Sequence, residues 1–176
     1  MKNYILSALF AALITIGTYI KIPTPLLPLT LQTLFVVLSG LVLGHKFGPV
    51  SVLVYIGAGL AGLPVFTGGV FNPTFGYIIG FVFGSGIAGY IAERFKPCLL
   101  TWTLGALAGM AVIYAVGIPY YYVMYKYYLG NELGAKAILL YFVLMPLPGD
   151  CVKSLAAGLI AQRLSKIFPD EFTWKR

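Results

Sequence analysis

The fold is decided by the stretch Leu99–Tyr125, which reads LLTWTLGALAGMAVIYAVGIPYYYVMY. It carries no charged side chain and is longer than the ~20 apolar residues that an α-helix needs to cross a bilayer. An uncharged helix of this length and hydrophobicity is typical of a membrane span, so the stretch is predicted to be a transmembrane helix.

The rest of the chain has the same character. Of its 176 residues, 60% are hydrophobic and 10% are charged, whereas soluble domains carry about 25% charged residues. The net charge is +7, but the basic residues stand singly between apolar runs and form no stripe with interleaved aromatics. Composition therefore indicates the lipid bilayer as the solvent of this protein and gives no sign of a nucleic-acid partner.

Working outward from Leu99–Tyr125, we expect an all-α, polytopic membrane bundle of six transmembrane helices that forms one domain over residues 1–176. The first run is too long for the core of a signal peptide and precedes no small-residue cleavage site. The third run is short, so five full spans and one partial helix are the alternative. The predicted spans are Tyr4–Ile20, Leu29–Gly44, Pro49–Leu63, Pro73–Ala92, Leu99–Tyr125 and Ala137–Leu164.

The charges outside these spans predict an orientation. Basic residues concentrate on the cytoplasmic side of membrane proteins, and with six spans most of them fall on the side that holds both termini. Both termini are therefore expected to be cytoplasmic. That side would hold Lys2, Lys46, Arg94, Lys96, Arg163, Lys166, Lys175 and Arg176, and the other side only Lys21, Lys126 and Lys136.

Two charges inside the last predicted span are the strongest candidates for a ligand site. Asp150 and Lys153 are three residues apart, so they share one helix face and can neutralise each other. Charges at membrane depth cost about 2.5–3.5 kcal/mol each and persist mainly where they pair or work. Pro146 and Pro148 should break the helix just before Asp150, which would add a helix N-terminus to a polar site. An ion pair that only fixes the bundle is the alternative.

The segment between the third and fourth predicted spans is a second candidate, because it is half apolar where a loop should be polar. Such a loop suits a lid over a partly apolar ligand. Asn72 also has the character of a helix N-cap, with Pro73 at the first helical position. The candidate contacts are Phe66, Gly68, Gly69, Asn72, Thr74 and Tyr77.

A third candidate is the small-residue pair Ala8 and Ala12 on the first helix. Residues four apart lie on one helix face, and small side chains there let another helix approach closely in lipid. The pairs Ala88/Ala92 and Ala157/Ala161 repeat the spacing, so packing inside the bundle is an equal alternative.

Nothing in the sequence indicates an enzyme, a metal site or a cofactor. There is no second carboxylate beside Asp150, no nucleophile next to a base, and no cluster of metal ligands. The phosphate-binding motif G-x-x-x-x-G-K-[ST] is also absent, so the energy for any uphill transport must come from a partner.

Four of these segments, taken in order, resemble the BioY family, the biotin-specific substrate-binding subunits of energy-coupling factor (ECF) transporters. Asn72 and Phe75 stand where the family pattern has glycine, which would reshape the pocket. The segments are Pro28–Thr33 (PLTLQT), Gly62–Phe66 (GLPVF) followed by Gly68-Gly69, Pro73–Tyr77 (PTFGY) with Gly80-Phe81, and Pro148-Gly149-Asp150 with Lys153.

The resemblance implies a six-helix subunit without catalysis that binds biotin and joins a transmembrane coupling (T) subunit and two ABC-type ATPases in the bacterial cell membrane. Asp150, Lys153, Asn72 and the glycine loop would contact the ligand, and the Ala8/Ala12 face would dock on the coupling subunit. Lys153 would pair either with the valerate carboxylate or, together with Asp150, with the ureido ring. The alternatives are a subunit for another vitamin, or a small proton-conducting protein or intramembrane enzyme that uses Asp150.

Overall fold

The structure, a computed structural model, describes residues 1–23, 29–66, 72–130, 134–168 and 172, with all side chains except that of Ala135. The described part of the chain is helical apart from one antiparallel pair of two-residue strands. The elements are α1 (Lys2–Tyr19), β1 (Lys21–Ile22), β2 (Leu29–Thr30), α2 (Gln32–Leu60), α3 (Phe75–Arg94), α4 (Leu99–Val123), a π-helical segment (Met124–Tyr128), α5 (Ala135–Leu139), a second π-helical segment (Leu140–Leu144) and α6 (Leu147–Ile167).

Helix α2 reverses direction at Gly44, which has φ 81° and ψ 179°. Glycine adopts this backbone readily because it has no Cβ. The amide of Gln32 donates to the hydroxyl of Tyr55 over 2.9 Å, although 23 residues of straight helix would span about 35 Å. The two arms of α2, residues 32–43 and 45–60, therefore lie side by side. Both ends of α2 meet at one end of the bundle, and Gly44 lies at the other.

Small residues allow this close packing. A Cβ on Gly48 would lie 2.7 Å from Gly40 Cα, and a Cβ on Gly40 would lie 2.1 Å from the Ser85 carbonyl oxygen of α3. The two arms of α2 and helix α3 thus meet backbone to backbone, as membrane helices with small interfacial residues do.

The prediction of six separate transmembrane helices is wrong. Four helices in the described residues are long and apolar enough to cross a membrane. Helix α1 is not among them, because Lys2, Asn3 and its threonines lower the hydropathy of its 18 residues. The cytoplasmic placement of both termini depends on the six-span count and does not follow without it. The four helices are Gln32–Leu60, Phe75–Arg94, Leu99–Tyr128 and Lys136–Ile167.

The second and third predicted spans account for the rest of the discrepancy. They correspond to the two arms of α2, which lie side by side and are joined at Gly44. The sequence places the break at His45–Gly48, but helical hydrogen bonding resumes at His45 because Gly44 alone takes the non-helical backbone. The reversal needs one residue and no loop.

Candidate ligand-binding site

Asp150 and Lys153 lie on the first turns of α6 and form the ion pair that their spacing predicts. Helix α6 begins at Leu147, directly after Pro146, as the proline cluster predicts. Asp150 is only 4% exposed, and the Lys153 side chain is 12% exposed. Both charges are therefore held largely out of contact with solvent, where an ion pair is stable only if its remaining hydrogen-bonding groups are satisfied.

Lys153 does not pair with Asp150 alone. Its ammonium group also donates to the Thr30 carbonyl oxygen over 3.1 Å and to the Thr33 hydroxyl over 2.7 Å. An ammonium group has three N–H donors, so the carboxylate, the carbonyl and the hydroxyl account for all of them. The pair thus joins the start of α6 to the start of α2.

Thr30 and Thr33 were not among the predicted site residues. They lie in the PLTLQT segment that supports the family resemblance, but nothing in that segment says which side chain faces Lys153. The two residues are separated from Lys153 by more than a hundred positions, and only the reversal of α2 and the docking of α6 bring them together.

Tyr77, near the start of α3, is a predicted site residue with a buried hydroxyl. Its side chain is 6% exposed. The Tyr77 ring packs edge-to-face on Tyr114 at 6.2 Å between centroids. Among the described residues neither hydroxyl has a hydrogen-bond partner. Because buried polar groups are normally paired, these two hydroxyls are available to a ligand; Tyr114 was not predicted from sequence.

Phe66 is packed against the helices next to the ion pair. Its ring lies edge-to-face on Tyr55 at 5.3 Å and on Phe75 at 5.8 Å. A Cβ on Gly59 would lie 2.2 Å from the Phe66 ring, so the ring rests directly on the second arm of α2. The loop end at Phe66 is thereby held against the bundle by aromatic contacts.

Tyr55 secures the same loop by hydrogen bonds. Its hydroxyl donates to the Val65 carbonyl oxygen over 3.1 Å and accepts the Gln32 amide over 2.9 Å. The Tyr19 hydroxyl also donates to the Pro64 carbonyl oxygen. Gln32 directly precedes Thr33, so the same turn of α2 contacts both the loop and Lys153.

Asn72 and Thr74 shape the entry into α3. The Asn72 side-chain oxygen accepts the Thr74 backbone N–H at 3.0 Å and the Thr74 hydroxyl at 2.9 Å. Helix α3 begins at Phe75 with Thr74 at the N-cap position. Asn72 is therefore not the N-cap residue, and its side chain instead forms a turn with Thr74 just before the helix. Gly68 and Gly69 lie outside the described residues, and their ligand contact stays a prediction.

We call the residues that make these contacts, together with Tyr77, the contact ring. Its members come from α2, the loop end at residues 65–66, α3 and α6, so four parts of the chain contribute to it. The links are Lys153 to Thr33, Gln32 to Tyr55, Tyr55 to Phe66, Phe66 to Phe75, and Asp150 to Lys153.

The small-residue pair on α1 differs from the other two pairs in exposure. Ala8 and Ala12 are exposed on the outer face of α1, among large apolar side chains that are also exposed. The alanines at positions 88, 92, 157 and 161 are all 0% exposed, so their spacing serves packing inside the bundle. Of the three pairs, the one on α1 remains accessible to a partner helix.

Comparisons with known proteins match this chain over nearly its full length. The model of the BioY family matches residues 1–170. The "Probable biotin transporter BioY" of Lysinibacillus sphaericus is 41% identical over 172 residues, which cover 94% of this chain and 88% of that protein. The "Biotin transporter BioY" of Thermotoga maritima is 38% identical over 174 residues, or 95% of this chain and 98% of that protein.

A solved structure shares the fold. The chain is similar to the crystal structure of the S-component for biotin from an ECF-type ABC transporter, with a TM-score of 0.81 and 26% sequence identity. The match covers 97% of this chain and 95% of that one. Sequence and fold therefore agree over the segments that carry the contact ring.

Proposed function

The chain belongs to the BioY family, and from that premise we propose that it captures biotin at the contact ring as the S component of an ECF-type transporter. It is a multi-pass protein of the bacterial cell membrane. The observation that carries the proposal is the buried Asp150–Lys153 pair, together with the Tyr77 hydroxyl, which has no partner among the described residues.

The charge of the site selects which end of biotin it contacts. The Asp150–Lys153 pair has no net charge, so a second carboxylate placed there would be repelled by Asp150 as strongly as it is attracted by Lys153. The neutral ureido group fits better, because it offers two N–H donors and one carbonyl acceptor. Asp150 accepts a ureido N–H, and Tyr77 donates to the ureido carbonyl. Lys153 exchanges its hydrogen bond to the Thr33 hydroxyl for one to the same carbonyl. The valerate carboxylate points away from the pair.

The aromatic members of the ring supply the apolar contacts. The Phe66 ring packs edge-to-face on Tyr55 and on Phe75, and these three rings would border the sulfur-containing ring of biotin. The loop that begins at Phe66 and ends at Asn72 and Thr74 closes over the ligand, with Gly68 and Gly69 at its centre. Binding sites of this kind combine apolar walls with a few oriented polar groups.

Transport requires partners, since the sequence carries no phosphate-binding motif of its own. The chain joins a transmembrane coupling subunit and two ABC-type ATPases, and it binds its ligand without catalysing a reaction. The exposed face of α1 around Ala8 and Ala12 is the docking surface. This surface is supported by its exposure, because the equally spaced alanines of α3 and α6 are fully buried.

Competitive displacement tests the identity of the ligand. Purified protein in detergent is loaded with radiolabelled biotin and challenged with unlabelled biotin, thiamine or riboflavin at matched concentrations. We expect displacement by biotin alone. Failure to retain labelled biotin, or equal displacement by another vitamin, would refute the proposal.

A further inference from the structure

An apolar groove runs along the flank of the bundle, away from the contact ring. Its volume is about 640 Å³, and it lies between the second arm of α2, α3 and α4, all parts of candidate membrane spans. No member of the contact ring lines it. The lining residues are His45, Pro49, Val82, Phe83, Gly86, Ile87, Tyr90, Val112 and Val116.

One end of the groove is basic. Phe83, Ile87 and Tyr90 recur at helical spacing on α3, and Arg94 continues the same face by one turn. Arg94 is exposed. The apolar stripe of α3 therefore runs directly into a guanidinium group at the end of the helix.

The second arm of α2 adds a further cation at this end. Lys46 is exposed and directly follows His45, a lining residue. Glu93 is the acidic group nearby, and it is already engaged: it accepts the His45 backbone N–H at 2.9 Å and contacts the His45 ring nitrogen at 2.5 Å. Arg94 and Lys46 thus leave an excess of positive charge at the mouth of an apolar groove.

We propose that this groove binds one acyl chain of an anionic phospholipid, whose phosphate contacts Arg94 and Lys46. The occupant is a lipid and not a free anion, because the lining offers almost only apolar side chains. It is an anionic lipid and not a zwitterionic one, because the mouth carries two exposed cations. Basic residues near a membrane surface each favour anionic lipids by about fivefold.

Native mass spectrometry of the purified full chain in detergent tests the proposal. Phosphatidylglycerol and phosphatidylcholine with identical acyl chains are added in turn, and the retained lipid is counted. We expect phosphatidylglycerol to be retained in preference, and the preference to fall about fivefold in Arg94→Gln and again in Lys46→Gln. The matched control is Arg163→Gln, which removes an exposed arginine of α6 outside the groove and should leave the preference unchanged.

A second pair of variants fills the groove itself. A Cβ on Gly86 would lie 3.4 Å from Pro49 Cγ, so Gly86→Leu places its side chain in the space between α3 and α2. It should lower retention of both lipids at least fivefold, and Val112→Trp repeats the test from α4 if Gly86→Leu does not fold. Equal retention of the two lipids by the unmodified protein would overturn the proposal, as would an equal loss of preference in Arg163→Gln. A protein dimer that these groove-filling variants abolish would also overturn it.

Discussion

The most informative perturbation separates the structural from the ligand-binding role of the Asp150–Lys153 pair. In Asp150→Asn, the Lys153 ammonium keeps only the Thr30 carbonyl and the Thr33 hydroxyl as strong acceptors. Removing one partner of a buried ion pair costs about 3–5 kcal/mol, because the other charge stays buried without compensation. For a chain of 176 residues this corresponds to a fall in Tm of roughly 6–20 °C.

The double variant Asp150→Asn/Lys153→Met removes both charges. Replacing both partners of a buried pair is often neutral for stability, so its Tm should return to within a few degrees of the unmodified protein. Biotin binding should not return, because the charged hydrogen bonds to the ureido group are lost. At about 1.5–3 kcal/mol for each such bond, binding should weaken at least 100-fold.

The assay follows unfolding in detergent by circular dichroism and biotin binding by calorimetry on the same samples. The control is Glu93→Gln, because Glu93 pairs with His45 at an exposed site, where an ion pair contributes about 0–1 kcal/mol. A double variant that binds biotin like the unmodified protein would refute the assignment of the site. A single variant as stable as the unmodified protein would show that the pair is not desolvated.

Three further predictions concern the loop, the docking face and a surface thiol. Tyr55→Phe leaves the Gln32 amide and the Val65 carbonyl without the hydroxyl between them and should speed biotin dissociation roughly tenfold in stopped-flow measurements. Tyr127→Phe, at an exposed position, serves as the control. An unchanged dissociation rate in Tyr55→Phe would contradict the role of Tyr55. Ala8→Trp should abolish co-purification with the coupling subunit and leave biotin affinity unchanged. The control Ala115→Trp, at an exposed position of α4, should preserve co-purification. A complex that survives Ala8→Trp would exclude the α1 face as the docking surface. A hydrogen bond from Thr101 lowers the pKa of the Cys98 thiol below that of an ordinary cysteine. At a pH below the ordinary cysteine pKa, a charged maleimide should therefore label Cys98 faster than Cys151 in the membrane span, and Thr101→Val should slow the labelling about twofold or more. An unchanged rate would show that Thr101 does not stabilise the thiolate.

The sequence predicts those parts of the site that depend on local spacing. Asp150 and Lys153 are on one face because they are three residues apart, and α6 starts where the prolines prevent the preceding helix from continuing. These are short-range consequences of helix geometry. They need no knowledge of how the helices pack.

The parts that depend on packing could not be predicted. The acceptors of Lys153 are on β2 and α2, and the rings of Tyr77 and Tyr114 come together only when α3 packs on α4. Which alanine pair faces outward also depends on the arrangement of the bundle, since all three have the same spacing.

The wrong span count has a similar cause. Polarity suggested a loop at His45–Gly48, but the reversal is made by the backbone of Gly44. Hydropathy reports which residues prefer lipid and does not report where a glycine can take a positive φ. The two apolar runs on either side of Gly44 correspond to the two arms of α2.

Parallel calorimetric titrations of the purified protein with biotin and with biotin methyl ester test the central claim most directly. If the neutral ion pair binds the ureido group, both compounds should bind with dissociation constants within about threefold of each other, a difference of less than 1 kcal/mol. Binding of biotin with no binding of the ester would place the carboxylate on Lys153 and contradict the orientation. Absence of heat with both compounds would remove biotin as the ligand of this site.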